Sequence, residues 1–188
     1  GATNPYSTHL LTREEKPDGR VLLNEFDSQR RVTNQWATVG PDLRLVRNAT
    51  FRYTNDFSLT NLTGTISGTT TILDYTNNPT TYFYTNGLIR RIRDPLGAEV
   101  VQQWYEANET NAPAYPRSLK SVTDKRGLLT SYYYDARGNA TNVVLKGDLK
   151  GDGDANATAG TLTVFNANNL PDKTITPSGA TNLFFYTN

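Results

Sequence analysis

The fold follows from one stretch of the chain, Tyr84 to Gly97, which reads YTNGLIRRIRDPLG. It starts on an aromatic residue, turns at Asn86-Gly87, continues through an apolar segment and turns again at Asp94-Pro95-Leu96-Gly97. Asn and Gly readily take the positive φ that a two-residue hairpin turn needs. The next aromatic lead, Tyr105, comes 21 residues after Tyr84. This spacing predicts a hairpin that repeats along the chain.

The same aromatic lead occurs at seven places, with spacings of 27, 31, 21, 29, 31 and 21 residues. The second 21-residue spacing again encloses a turn, which ends at Gly179. Fixed periods of this length are typical of repeat arrays. We therefore interpret residues 1–188 as one array of about seven units, and the spacings also divide into two similar blocks of three. The anchors of the units are Phe26, Tyr53, Tyr84, Tyr105, Tyr134, Phe165 and Tyr186.

The segments around these anchors are typical of strands and turns. Clusters such as Tyr132-Tyr133-Tyr134 and Phe184-Phe185-Tyr186 are aromatic-rich and are bounded by Gly, Asn and Asp, which indicates half-buried strands. Tyr134 to Gly138 is expected to form a two-residue hairpin turn like that after Tyr84. Second strands are predicted over 88–93, 139–145 and 170–175. The fold class predicted is all-β, an antiparallel meander of repeated hairpins that curls into a tube or shell.

Composition narrows the classes of function. The net charge is +1 with 20% charged residues, so nothing directs the chain toward nucleic acid. The absence of Cys rules out disulfides and thiolate chemistry, and no long apolar run indicates a membrane span. The only His is His9, and the carboxylate pairs Glu14-Glu15 and Asp152-Asp154 lie in polar segments. A base placed beside a nucleophile is not indicated, so we expect a protein that is not an enzyme.

The unit Tyr134-Asp135-Ala136-Arg137-Gly138 resembles the YD-repeat family, also called rearrangement-hotspot repeats. Phe26-Asp27, the turn Asp94 to Gly97 and the turn Asp124 to Gly127 fit the same pattern. The resemblance covers nearly the whole chain. The chain departs from the family where Thr54, Thr85 and Thr187 stand in the place of the usual Asp.

The resemblance implies a structural role. In that family, repeats form a long β-sheet that curls into a hollow shell, as in polymorphic toxins, insecticidal toxin complexes and teneurins. We accordingly expect a segment of a large secreted or cell-surface bacterial protein, forming the wall of a tube, filament or shell. Its partners would be neighbouring copies or flanking repeats joined through the sheet edges. A cocoon that encloses a toxin cargo is the alternative, and it requires an effector domain downstream.

A third hypothesis is an adhesion module that binds cell-surface glycans. Tyr and Trp rings offer flat apolar faces on which sugars can stack, and Trp36 and Trp104 each lie in or near a predicted strand. The adhesion hypothesis predicts that both Trp side chains are exposed. Packing between strands predicts that they are buried.

The loop Asp148 to Asn156 is the one candidate for a cofactor, a structural Ca²⁺ ion. Asp148, Asp152 and Asn156 fall at positions one, five and nine of a calcium loop, with Asp154 between the last two. However, Lys150 occupies a ligand position, and Ala159 stands where a bidentate Glu is wanted. The alternative is a polar, Gly-rich hairpin loop.

The two ends of the chain also match the repeat. Tyr186-Thr187-Asn188 followed by Gly1 would reproduce the Tyr-Thr-Asn-Gly turn found at Tyr84 to Gly87. This match predicts one period of a longer tandem array, or a subunit that continues into its neighbour.

Overall fold

A computed structural model of the chain describes residues 10–54, 67–106, 109, 113 and 117–187. The predictions for Gly1, His9 and Asn188 lie outside these residues. Within them the chain forms fourteen strands and no helix, so no helix there is long and apolar enough to cross a membrane. The strands are β1 (Arg13–Glu15), β2 (Val21–Phe26), β3 (Val32–Val39), β4 (Arg44–Tyr53), β5 (Ser67–Asp74), β6 (Pro79–Thr85), β7 (Leu88–Arg93), β8 (Glu99–Trp104), β9 (Leu119–Thr123), β10 (Leu129–Tyr134), β11 (Ala140–Lys146), β12 (Thr158–Phe165), β13 (Pro171–Ile175) and β14 (Thr181–Leu183).

The strands follow one another in the sheet in the order of the sequence, from β1 to β14. Neighbouring strands pair antiparallel, for example β2 with β3 and β10 with β11. The predicted antiparallel meander is therefore confirmed. The predicted second strands correspond to β7, β11 and β13, with starts within one residue of those expected.

The first of two compact units contains β1 to β6 up to Tyr84, together with Arg93–Gly97. In the pairing of β3 with β4, Gln35 faces Ala49 but Trp36 faces Arg47. Asn48 is thus the extra residue of a β-bulge, which bends a strand and redirects its side chains. Ala49, beside the bulge, is the most buried apolar residue described in this unit.

The second unit contains Thr85–Ile92 and the chain from Ala98 onward, which includes β8 to β14. Tyr105, only 6% exposed, is its most buried apolar residue among those described. The ring of Tyr105 meets that of Tyr134 edge to face, with centroids 6.0 Å apart. Such aromatic pairs contribute about 0.5–1.5 kcal/mol beyond the area they bury.

Both units lack a conventional hydrophobic core in the described part of the chain. No large side chain there is fully buried, and strands such as β3 are half-buried along almost their whole length rather than alternating between inside and outside. Cohesion therefore depends on backbone ladders and on cross-strand side-chain pairs, each contributing roughly 0.2–1 kcal/mol.

Within the described residues, seven turns share one hydrogen-bond geometry. In each, the N–H of the first residue donates to the carbonyl of the fifth, and the N–H of the fourth donates to the carbonyl of the first. The fourth residue always has positive φ, between 61° and 87°. This is a three-residue loop, a type I turn followed by one left-handed residue. The turns begin at Lys16, Asp27, Asp74, Asp124, Asp135, Asn166 and Thr176.

The prediction of a two-residue turn after Tyr134 was wrong for this reason. Asp135 starts a three-residue loop in which only Gly138, at φ 87°, is left-handed. After Tyr84, by contrast, Asn86 and Gly87 have φ of 52° and 78°, the adjacent left-handed pair of a two-residue turn. A leading Asp with Gly three residues later thus marks one turn type, and Asn-Gly marks the other.

Two glycine substitutions separate backbone strain from side-chain crowding. At Gly127, φ is 86° and an added Cβ would meet nothing within 4 Å. Gly127→Ala should therefore lower the free energy of unfolding by about 1–2 kcal/mol through backbone strain alone. Gly160 lies in β12, where φ is not positive and an added Cβ makes ordinary contacts, the nearest at 3.6 Å. Gly160→Ala should be neutral or stabilising, as measured by urea unfolding; an equal loss in both variants would contradict this account.

Candidate functional site

The leading side chain of the turns satisfies the backbone of its own loop. In five turns its Oδ1 accepts the N–H groups of the third and fifth residues, at 2.8–3.1 Å. One short polar side chain thereby gives partners to two backbone donors. The side chains that do so are Asp27, Asp74, Asp124, Asp135 and Asn166.

The remaining predicted turn residues belong to related loops. The N–H of Gly97 donates to the carbonyl of Asp94 at 3.0 Å, and the N–H of Leu96 donates to Asp94 Oδ1 at 3.0 Å. Gly179 occupies the left-handed position of the loop that starts at Thr176, with φ 83°. There the Thr hydroxyl bonds to Ser178 instead of accepting two N–H groups. Turns that start with Asp or Thr are therefore variants of one loop.

The hydrogen bonds hold the pKa of the turn carboxyls below the ordinary value. The main cause of the lowered pKa is the N–H of Leu128 for Asp124, the side-chain amide of Asn139 for Asp135, and the Thr76 hydroxyl for Asp74. For Asp27, burial is the largest influence and raises the pKa, but hydrogen bonds and the charge of Arg31 together outweigh it. All four turns are therefore stabilised by the ionised carboxylate.

A bulge follows the aromatic end of several hairpins. Phe26 faces Val32, but the preceding Glu25 faces Asn34, so Thr33 is extra. The same shift occurs where Tyr134 faces Ala140, where Phe165 faces Pro171 and where Trp104 faces Leu119. A bulge interrupts the ladder and leaves a backbone group near it in need of another partner.

Tyrosine anchors provide that partner. The hydroxyl of Tyr53 donates to the carbonyl of Val32 at 2.8 Å, and that of Tyr134 donates to the carbonyl of Leu119 at 2.8 Å. Tyr186 does the same to Pro171 at 2.7 Å. In each case the acceptor is the first residue of the last strand of the hairpin before, which is β3, β9 or β13, and it directly precedes the bulged residue. These three anchors thus connect their hairpins to the ones before them.

Burial raises the pKa of Tyr53, Tyr105 and Tyr134, which keeps these hydroxyls protonated as donors. The hydroxyl of Tyr105 differs from the other anchors, because it donates to a later residue, at 3.1 Å from the carbonyl of Tyr132. Cations cover two of the rings, with the Arg31 guanidinium 4.4 Å from the centroid of Tyr53 and the Lys120 ammonium 5.5 Å from that of Tyr105. Tyr84 is half-buried in β6.

Neighbouring turns also bind one another in the second unit. Arg137 donates to the carbonyl of Asn166 at 2.7 Å, and Asn139 Nδ2 donates to Asn169 Oδ1 at 3.0 Å. These bonds join the loop after β10 to the loop after β12. The rim of the sheet is therefore held together by side chains as well as by the strands.

Trp36 and Trp104 are both half-buried, between the two alternatives that the sequence left open. Trp104 Nε1 donates to the carbonyl of Ile89 at 2.7 Å, and Trp36 Nε1 donates to Glu25 Oε1 at 3.1 Å. Each indole is thereby fixed against an adjacent strand. The most exposed aromatic residues described are instead Phe185 and Tyr75, which the sequence analysis did not single out as sites.

The calcium candidates lie together in the loop between β11 and β12, where their carboxylates accept backbone donors. Asp148 accepts the N–H groups of Asp152 and Gly153, at 2.9 and 3.1 Å. Asp154 accepts that of Asn156 at 2.9 Å. Among the described residues, no group of three or more His, Asp or Glu side chains is placed to hold a metal ion. Structural Ca²⁺ at this loop stays a prediction.

Sequence reasoning missed two of the five side chains that accept paired N–H groups, Asp74 and Asn166. Both turns have Asn rather than Gly at the left-handed position, Asn77 and Asn169, with φ of 67° and 61°. The signal was present, because Asn tolerates this conformation better than other non-Gly residues. A search for Asp or Asn followed three residues later by Gly or Asn would have found both.

Acid should destabilise the turns, and one substitution can isolate the contribution of the Asp124 carboxylate. Because the pKa of Asp124 is lowered by folding, its contribution is complete above the unfolded value of about 3.9 and is lost as pH falls through the folded pKa. Asp124→Asn keeps the Oδ1 acceptor, as Asn166 shows, but removes the titration. The free energy of unfolding, measured from pH 7 to pH 2, should fall less steeply with acid for this variant than for the wild type. Asp124→Ala, which has no acceptor, should be weaker at every pH; parallel curves for wild type and Asp124→Asn would refute the assignment.

The tyrosine hydroxyls should contribute measurably to stability. Tyr134→Phe removes the donor to Leu119 and should lower the free energy of unfolding by about 1 kcal/mol. Tyr133→Phe, on the same strand but 49% exposed, is the control and should have no effect. The converse change, Phe165→Tyr, places a hydroxyl at the equivalent anchor, from which it should reach the carbonyl of Ala140 and stabilise the fold. Thermal unfolding of the three variants tests this role of the hydroxyls. A Tyr134→Phe variant that melts at the same temperature as the wild type would contradict it.

Comparisons with known proteins assign no family, because neither a protein-family model nor a curated protein sequence matches the chain.

Proposed function

We propose that this chain is a non-enzymatic structural segment of the YD-repeat type, part of a large extracellular or cell-surface bacterial protein. Hairpins laid side by side would build the wall of a tube, filament or shell. The observation that supports this best is the repeated link between hairpins, in which a tyrosine hydroxyl donates to the strand-start carbonyl of the hairpin before it. Units that bind mainly their neighbours in this way are suited to extension by repetition.

The outer edge of β14 supports growth by strand addition. The N–H of Phe184 donates to the carbonyl of Asp172 on β13. Since donors alternate sides along an antiparallel strand, the N–H groups of Leu183 and Phe185 face away from β13. Within the described residues no strand pairs with that edge, and the Leu183 and Phe185 side chains are 59% and 88% exposed.

An unpaired edge with exposed apolar side chains is a site for pairing with another strand. The proposed occupant is a strand of a flanking repeat or of a neighbouring copy, which would use the outward donors and cover the apolar residues. The arrangement does not require an enclosed cargo. The toxin-enclosing cocoon remains the second form that the assembly could take.

Electron microscopy of the native assembly that contains this chain tests the proposal, with one variant that targets the edge. Leu183→Pro removes an outward donor but no bond to β13, because proline is tolerated where the N–H faces out of an edge strand. We expect assembly to be lost while thermal unfolding of the chain is unchanged. Leu183→Thr, which keeps the donor, is the matched control and should assemble.

The images also separate the two forms of the assembly. Long filaments or tubes would support an array that grows from end to end and would exclude the cocoon. Discrete hollow particles would favour an encapsulating shell. Normal assembly of the Leu183→Pro variant would show that neighbouring repeats or copies do not pair with the edge of β14.

A further inference from the structure

A cleft of about 510 Å³ lies on the first unit, formed by β3, β4 and the turn that follows β5. Its volume is within the range of sites that bind small molecules. Apart from Tyr75, which lies in the turn led by Asp74, its lining residues belong to none of the turns or anchors described above. Its lining residues are Trp36, Val39, Arg44, Val46, Arg47, Asn48 and Tyr75.

The charge of the cleft is entirely positive. Among the described residues, Arg44 and Arg47 are the charged residues that line it, and no carboxylate does so. Arg47 donates to Asn77 Oδ1, which orients its guanidinium, and neither Arg takes part in an ion pair within the described part of the chain. A guanidinium has five donors arranged for a planar anion, so most donors of both groups are available to a carboxylate.

The cleft also carries two aromatic rings. Tyr75 is 72% exposed at the second position of the loop led by Asp74, and Asp74 fixes this loop through the N–H groups of Thr76 and Asn78. The ring of Tyr75 is therefore accessible to a ligand from solvent. Trp36, whose indole is anchored to Glu25, also lines a second cleft of about 490 Å³ on the same unit. The indole therefore stands where two clefts adjoin.

A backbone irregularity adds a polar group at the same place. Asn48 is the extra residue of the bulge between β3 and β4, it is exposed, and its Nδ2 donates to Gln35 Oε1 at 2.9 Å. Asn48 lines the cleft, and its amide oxygen can accept a hydrogen bond from a ligand there. Bulges commonly redirect a side chain next to a binding site.

We propose that this cleft binds a carboxylated sugar, one unit of an acidic polysaccharide. A pyranose ring presents a face of C–H groups to an aromatic ring, its hydroxyls suit Asn48, and its carboxylate suits the guanidinium of Arg44. An acidic peptide would satisfy the guanidinium groups but would leave the flat faces of Tyr75 and Trp36 without a matching surface. This binding function goes beyond the structural role and does not depend on it.

Titration of the chain with tri-galacturonate, followed by ¹H–¹⁵N NMR, tests the proposal. Signals of the Trp36 indole N–H and the Asn48 side-chain amide should shift in a saturable manner. Fully methyl-esterified tri-galacturonate has the same rings without charge and should bind about tenfold more weakly or not at all. Hexaglutamate tests the peptide alternative, and its binding as tightly as the sugar would overturn the assignment.

Variants locate the site. Arg44→Gln and Tyr75→Leu should each weaken binding about tenfold, the first by loss of charge and the second by loss of a flat ring. Arg52→Gln, on the same strand but outside the cleft lining, and Tyr133→Leu, a half-exposed ring on the other unit, are controls that should bind normally. Unchanged melting temperatures would show that the variants fold. Absence of saturable shifts, or equal losses in the controls, would refute the site.

Discussion

The structure depends on giving partners to the backbone groups at the ends of its hairpins. A strand ladder satisfies the backbone along its length, but turns and bulges interrupt it, and unpaired donors and acceptors are costly wherever water is partly excluded. The turn aspartates solve this within a loop, where Asp124 accepts two N–H groups. The tyrosine anchors solve it between hairpins, as Tyr134 does for Leu119. Side chains that look like markers of a repeat are therefore its hydrogen-bonding components.

This constraint explains why the chain can form an extended sheet without a thick core. Since no large side chain in the described ranges is fully buried, hydrophobic burial is spread thinly over many half-buried positions. The pairs Arg31–Tyr53 and Lys120–Tyr105 show how cations cover rings that a second layer would otherwise cover. The long side chains contribute apolar stems as well as charge. Stability in such a sheet is a sum of local terms.

The sequence predicted the meander because its signals are local. Aromatic clusters identify strands such as β10, and Asn86-Gly87 or Asp124 with Gly127 identify turns, since positive φ restricts the residue types that fit. The bulges were not predictable, because Thr33 and Thr141 look like ordinary strand residues and the shift exists only relative to the partner strand. Tyr75 was missed for a related reason. Tyr75 lines a cleft between β4 and the turn after β5, which lies about 30 residues further along the chain. Periodicity within a strand gives no information on a contact between segments so far apart.

The order of the strands has a consequence for how the chain acquires its structure. Every described strand lies next to its neighbours in sequence, so none of these strands waits for a distant segment before it can pair. Short loops of this kind close at little entropic cost, and local pairing favours rapid folding. As the chain emerges from the ribosome, each new hairpin would be able to pair with a strand that has already formed. Synthesis would then set the order of pairing, because each new strand meets the strand made just before it.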